Sequence, residues 1–272
     1  MFVDSHCHLN YPEFEPLMDQ IRQDMHKAQV DRALIISTKL ETFDAVQGLA
    51  QAYDNFWCTL GVHPDEDQVQ EPSMEDFRAR VHRGKVVGIG ETGLDYYRLN
   101  GRGIEDMHWQ RERFRTHIRF AQECQLPLII HTREASKDTL EILRQEGEDG
   151  QARSVGGVFH CFTESMEVAK AALELGFYIS FSGIVTFKNA KEIKEVAKWV
   201  PLERMLIETD SPYLAPSPHR GKTNNPSFVP FVAQEIALLK GLSIEHVAQQ
   251  TSQNFEDLFK RARPPVQNTL QS

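Results

Sequence analysis

Short runs of β-branched and aromatic residues alternate along the chain with longer stretches in which apolar side chains recur every three or four positions. Eight runs read as strands: residues 2–6, 32–37, 56–61, 85–91, 127–131, 156–160, 177–182 and 204–209. Between them the spacing is helical. Phe14, Leu17, Ile21, Met25 and Ala28 make one core-facing stripe, and Phe114, Ile118 and Ala121 another. Gly176 stands where a left-handed helix cap belongs, directly before "FYISF", and such a tight joint suits a parallel strand. Repeated strand–helix units predict a single-domain α/β fold, a (β/α)8 TIM barrel over residues 1–260, followed by a flexible tail at 261–272. A doubly wound open sheet would want a glycine-rich phosphate loop after the first strand. "DSHCHLN" stands there instead.

Composition agrees with a large core: 272 residues, 40% hydrophobic and 25% charged. The net charge of -9 leaves no broad basic surface, so a nucleic acid would have to be gripped locally, by metal or a few arginines. Residues 1–10 lack a basic segment followed by an apolar run, and no window approaches the ~18 uninterrupted apolar residues of a membrane span. A cytoplasmic protein without a membrane partner is expected. Cys7, Cys58, Cys124 and Cys161 form no C-x-x-C pair, which points to reduced thiols.

Ten of the eleven histidines divide by position. His26, His82, His108, His117 and His246 sit in polar helical stretches and read as solvated surface residues. His6, His8, His63, His131 and His160 fall at or just past the ends of strands one, three, five and six, and Glu91 and Asp210 at the ends of strands four and eight. In a barrel those ends build the active site. His6 and His8, two apart, can face the axis together as a chelating pair, with Cys7 turned toward the helices. The same alternation makes Cys161, beside His160, a buried packing residue.

The segments "FVDSHCHLN", "GETGLDYYR", "HTREA", "HCFT" and "IETDSPYLAP" together resemble the TatD family of metal-dependent deoxyribonucleases, in its YcfH-like branch, within the amidohydrolase-like barrel superfamily. The resemblance runs from Phe2 to Phe259. It implies that His6, His8 and Asp210 hold one divalent metal, that His131 and His160 hold a second, and that Glu91 bridges the two. Such a nitrogen-rich set suits Zn, Mn, Fe or Co better than Mg, which could act when supplied in excess.

The chemistry expected is attack on a phosphodiester by a water activated between two cations. Asp210 is the candidate general base and Glu91 the shared carboxylate, while His63, in "GVHPD", contacts phosphate, protonates the leaving oxygen or orients a neighbouring group. Arg133, Arg220 and Lys222 are candidate phosphate contacts, and Tyr96, Phe162 and Tyr213 candidate platforms for unpaired bases. Residues 99–106, "LNGRGIED", read as a lid or a surface loop. The activity the resemblance implies is a 3′-5′ exodeoxyribonuclease acting on single-stranded or terminal DNA, with no obligatory protein partner. The rivals are another hydrolase of the superfamily, such as a D-aminoacyl-tRNA deacylase, and a metal-stabilised binding protein without turnover.

Overall fold

A computed structural model of the chain describes residues 1–262. Its strands are β1 (Phe2–Cys7), β2 (Val30–Ile35), β3 (Phe56–Leu60), β4 (Val86–Asp95), β5 (Leu128–Arg133), β6 (Gly157–Phe159), β7 (Tyr178–Phe181) and β8 (Met205–Ile207). They form one parallel sheet in chain order. The helices between and after them are α1 (Met18–Lys27), α2 (Phe43–Ala52), α3 (Met74–Val81), α4 (His108–Cys124), α5 (Ser136–Gln145), α6 (Met166–Glu174), α7 (Lys191–Trp199), α8 (Val229–Lys240) and α9 (Ile244–Leu258). The fold is the expected TIM barrel. Strand β4 runs four residues beyond its expected end, and this carries Asp95 into the site.

The sheet closes between the segment after β8 and β1. Asp210 donates its N–H to the His6 carbonyl and His8 donates to that of Ser211, both at 2.9 Å. Deeper in the seam, the buried Asp4 carboxylate accepts from the backbone N–H of Thr209 at 2.9 Å and from its hydroxyl at 2.5 Å. Side chains thus join strands whose backbones have parted.

Val3, Leu34, Ile36, Val87, Ile129, Val158 and Leu206 pack together although they come from strands all round the sheet, so they fill the barrel's interior. Helices of such a barrel run against the strands, so the end of α9 arrives at the face opposite the strand C-termini. There Phe255 and Phe259 join the interior cluster as a plug. The outer shell follows the helical stripes: Ile21, Met25, Phe114, Ile118 and Ala121 are all buried. A fully buried side chain of this size contributes roughly 1.5–3 kcal/mol. Leu17 breaks its stripe at 48% exposure, because Pro12–Leu17 is a 3-10 helix of three residues per turn and α1 begins only at Met18.

Gly176 takes the left-handed conformation, with φ +84°, and the N–H groups of Gly176 and Phe177 bond the carbonyls of Leu173 and Ala172, the paired bonds of a Schellman cap. Packed structure continues through Ala262, which is buried in a 3-10 turn at Lys260–Ala262. The rest of the expected tail lies outside the described residues. Among those residues no single helix is long and apolar enough to cross a membrane.

His117 corrects the expectation of a solvated helix histidine, for it is fully buried. Its Nδ1 pairs with the Arg113 carbonyl at 2.8 Å and its Nε2 accepts from the Val62 N–H at 2.9 Å. Gln110, Arg113 and His117 share the inward phase of Phe114 and Ala121, and the polarity of these side chains hid that phase. Burial, with nothing to balance a charge, pushes His117 down to about 3. An unfolded chain takes up this proton from about pH 6.5 downward and the folded chain does not, so stability is present at neutral pH and is lost as pH falls. Urea unfolding at pH 7 and pH 5 should therefore show wild type losing about 2 kcal/mol more than His117→Gln. Equal losses would show that His117 is not held neutral.

Candidate metal centre

Glu91 stands at the centre of the strand C-termini, 2% exposed, with one oxygen for each of two groups of imidazoles. Its Oε2 faces Nε2 of His6 at 3.3 Å and of His8 at 3.9 Å. Its Oε1 faces His160 Nε2 at 2.8 Å, with His131 Nδ1 and His63 Nε2 each at 3.2 Å. Asp210 Oδ1 completes the first group, 3.3 Å from His8 Nε2 and 3.7 Å from His6 Nε2. All six residues selected as ligands meet here, and His63 lies as close to Glu91 as His131 does.

The donor set fits divalent cations. Three overlapping groups of ligand atoms each lie within 4.8 Å of one another: His6, His8 and Glu91; His63, Glu91 and His131; His6, His160 and Glu208. The His6 and His8 Nε2 atoms are 3.4 Å apart, and the His6 and His160 rings stack at 3.9 Å. His160 Nε2 is buried against Glu91 Oε1 at 2.8 Å without the alignment of a hydrogen bond. Convergent nitrogen lone pairs without enough protons or acceptors are what a cation of the Zn or Mn kind resolves. Burial alone would raise the Glu91 carboxyl, but His160, His63 and His6 outweigh it and hold the group well below the usual carboxylate range. His160 answers in the other direction, pushed well above an ordinary histidine by Glu91 and Glu208 against the opposing effect of burial.

Two carboxylates absent from the sequence reading support the ligands from behind. Asp95 Oδ2 lies 3.0 Å from His131 Nε2, leaving Nδ1 toward Glu91. Glu208 Oε1 lies 3.3 Å from His160 Nδ1, leaving Nε2 toward Glu91, and also takes the Cys161 N–H at 2.7 Å. Opposite ring nitrogens therefore face inward on neighbouring strands. Both carboxylates had a signal, since Glu208 is two residues before Asp210 and Asp95 shares strand parity with Glu91. Helix α4 braces the same region: Gln110 bonds the Asp95 backbone in both directions, and Arg113 donates to the carbonyls of His63 and Glu66.

Comparison with known proteins bears on this geometry. The model of the family described as TatD related DNase matches residues 3–260. The chain belongs to the TatD family. It is 45% identical over 260 residues to the metal-dependent hydrolase YcfH of Escherichia coli (strain K12), covering 94% of this chain and 95% of that one. It is 30% identical over 264 residues to the 3′-5′ ssDNA/RNA exonuclease TatD of Salmonella typhimurium, covering 94% and 98%. The crystal structure of YJJV, a TatD homolog from Escherichia coli K12, superposes with a TM-score of 0.86 at 27% identity, over 95% of this chain and 98% of that one. This TatD-family member is a metal-dependent hydrolase, with its buried histidines and carboxylates placed to bind metal.

Above the ligands the TatD-family barrel opens into a cavity of about 810 Å³. Arg133 and Tyr213 line it, as expected. Tyr96 and Phe162 do not border the mouth, which corrects their reading as base platforms. Tyr96 is 5% exposed, with its hydroxyl on Asp138 at 2.8 Å, and Phe162 is 3% exposed and packs on Phe181. Because β4 continues to Asp95, alternation turns Tyr96 toward the helix layer, where it meets Arg111 of α4 and Asp138 of α5, and leaves Tyr97 exposed with the Arg133 guanidinium 3.6 Å over its ring. Arg220 stacks on Phe187 at 3.7 Å and Lys222 is exposed; neither lines the cavity. Cys7 is buried as expected, with its thiol on the Leu34 carbonyl. Cys161 departs from the expectation: at φ +42° it leaves the strand alternation and lines the mouth. In the segment 99–106, Arg102 bonds Asp67 at 3.1 Å.

Proposed function

We propose that this protein hydrolyses phosphodiester bonds and that its substrate is a single-stranded or frayed DNA end, shortened from the 3′ side. The observation that carries the reading is Glu91, whose two oxygens face two separate groups of ligand atoms. His6, His8 and Asp210 would hold one cation and His131 and His160 a second, with Glu91 shared and His63 close enough to join the second group. Two divalent cations of the Zn, Mn, Fe or Co kind, or Mg in excess, would supply an activated water and neutralise charge on the nonbridging and leaving oxygens. Asp210 has its carboxylate at the cavity floor and takes the water's proton. His63 faces the same cavity beside the second group and serves the leaving oxygen. A recessed floor of this kind admits a free end and not a continuous duplex, and the name of the Salmonella relative supports the same substrate class.

The deciding experiment is parallel digestion of end-labelled single-stranded DNA, duplex DNA, RNA and a D-aminoacyl-tRNA with defined added metals. Stepwise shortening of single strands from the 3′ end, abolished by chelation, is the expected result. Release of amino acid with intact oligonucleotides would replace the phosphodiester reading with an ester one. Full nuclease activity after thorough chelation would exclude the role given to metal. Asp95 has its own expected outcome. Asp95→Asn should loosen the hold of His131 on metal about 10- to 100-fold, read as metal content after dialysis against a competing chelator.

A further inference from the structure

The turn that carries Asp210 carries a second feature that metal chemistry does not explain. Tyr213, three residues on, is 53% exposed, yet it is mounted on a fully buried support. Its N–H bonds the Asp210 carbonyl at 3.0 Å. The Asn224 amide, 0% exposed, donates to the carbonyls of Thr209 and Tyr213 at 2.8 and 2.6 Å. Asn224 is thus a buried polar side chain whose amide fixes this one turn at both ends. The ring itself is braced by Tyr11, whose ring meets it edge-on at 6.4 Å. Tyr11 in turn lies nearly parallel to His8, 5.3 Å away at 18°. Rings therefore run without a break from the His8 imidazole to solvent.

The opposite wall of the mouth carries a cation. Arg98 is paired with Asp65 and Lys39 with Glu66, at 3.3 and 2.9 Å. Arg133, two residues past His131, forms no ion pair among the described residues; its guanidinium lies face-on over Tyr97. That stack fixes the plane and leaves the N–H edges free for an anion. A rigid half-exposed ring on one wall and an unpaired, oriented guanidinium on the other match a planar base joined to a phosphate.

We propose that Tyr213, braced by Tyr11, is the stacking platform for the unpaired base of the terminal nucleotide, and that Arg133 on Tyr97 grips a phosphate of the same strand. The inference rests on the phosphodiesterase reading and goes beyond it, because it makes the terminal base, as well as the backbone, a determinant of cleavage. A base still paired in a duplex offers no free face to the platform, so selection for single strands follows.

The test compares kcat/KM on two single-stranded oligonucleotides identical except that the 3′-terminal residue is either adenosine-bearing or abasic, with bis(p-nitrophenyl) phosphate as a simple diester. Wild type should prefer the base-bearing end by about 5- to 100-fold, the usual range for base–aromatic stacking. Tyr213→Ala should bring that ratio near one and Tyr213→Phe should keep most of it. Arg133→Ala should lower both substrates together and leave the ratio standing. Equal rates on the two ends in wild type, or a ratio unmoved by Tyr213→Ala, would overturn the platform while leaving the phosphodiesterase reading intact. No cleavage of any diester with added Mn would overturn that reading and the platform with it.

Discussion

Glu91→Gln is expected to leave the barrel folded, to lower turnover on the order of 10³-fold, and to reduce bound metal in the same preparation. Glutamine keeps the volume of the side chain and one acceptor oxygen. Its amide nitrogen can only donate, so one group of imidazoles loses its shared oxygen and both lose the negative charge between them. Because Oε1 faces His63, His131 and His160 while Oε2 faces His6 and His8, no neighbouring carboxylate can stand in for both. Metal analysis and thermal melting on the same sample separate loss of ligation from loss of fold. Unchanged metal content and unchanged rate would remove Glu91 from the centre of the site.

The second large effect is structural. A methyl group on Gly93 would lie 2.0 Å from the His131 carbonyl oxygen, and the backbone there has φ +129°, which side chains other than glycine's rarely adopt. Gly93→Ala must therefore push β4 away from β5 at the pair that aligns Gly93 with His131. Overpacking and backbone strain together amount to about 3 kcal/mol or more, a large part of the 5–15 kcal/mol that is roughly the stability of a whole domain. Lower expression, an earlier denaturation midpoint and weakened metal binding should appear together. Gly48→Ala, in α2 with open space around its new methyl, is the control and should stabilise by about 0.5–1 kcal/mol. If both variants melt together, the close approach of β4 and β5 is not what Gly93 provides.

Much of this was legible because strands in a closed parallel barrel are buried on both sides and read as uninterrupted apolar runs. Their C-terminal ends could then be located to within a few residues, and the ligands cluster at those ends. What escaped detection were polar residues that obey the same geometry as apolar ones. His117, Gln110 and Arg113 occupy the inward face of α4, but each side chain finds a backbone partner that no single-residue rule foresees. Asp95 escapes a strand that ends at Glu91, and the same four residues decide that Tyr96 is buried while Tyr97 is exposed beneath Arg133. Strand alternation does not reach Cys161, because β6 ends at Phe159 and the chain has already turned.

The closing seam has a consequence for the order in which the site comes into being during synthesis. Asp4 and Thr209, which clasp β1 to the segment after β8, are 205 residues apart in the chain. His63, Glu91, His131 and His160 can gather once the first six strands have emerged from the ribosome. His6 and His8, translated before the other ligands, wait for Asp210 and for the last strand to reach them. The nascent chain thus carries two of its six ligands, His6 and His8, without their third partner for most of its elongation, and the group made at both ends of the chain is the last to be completed.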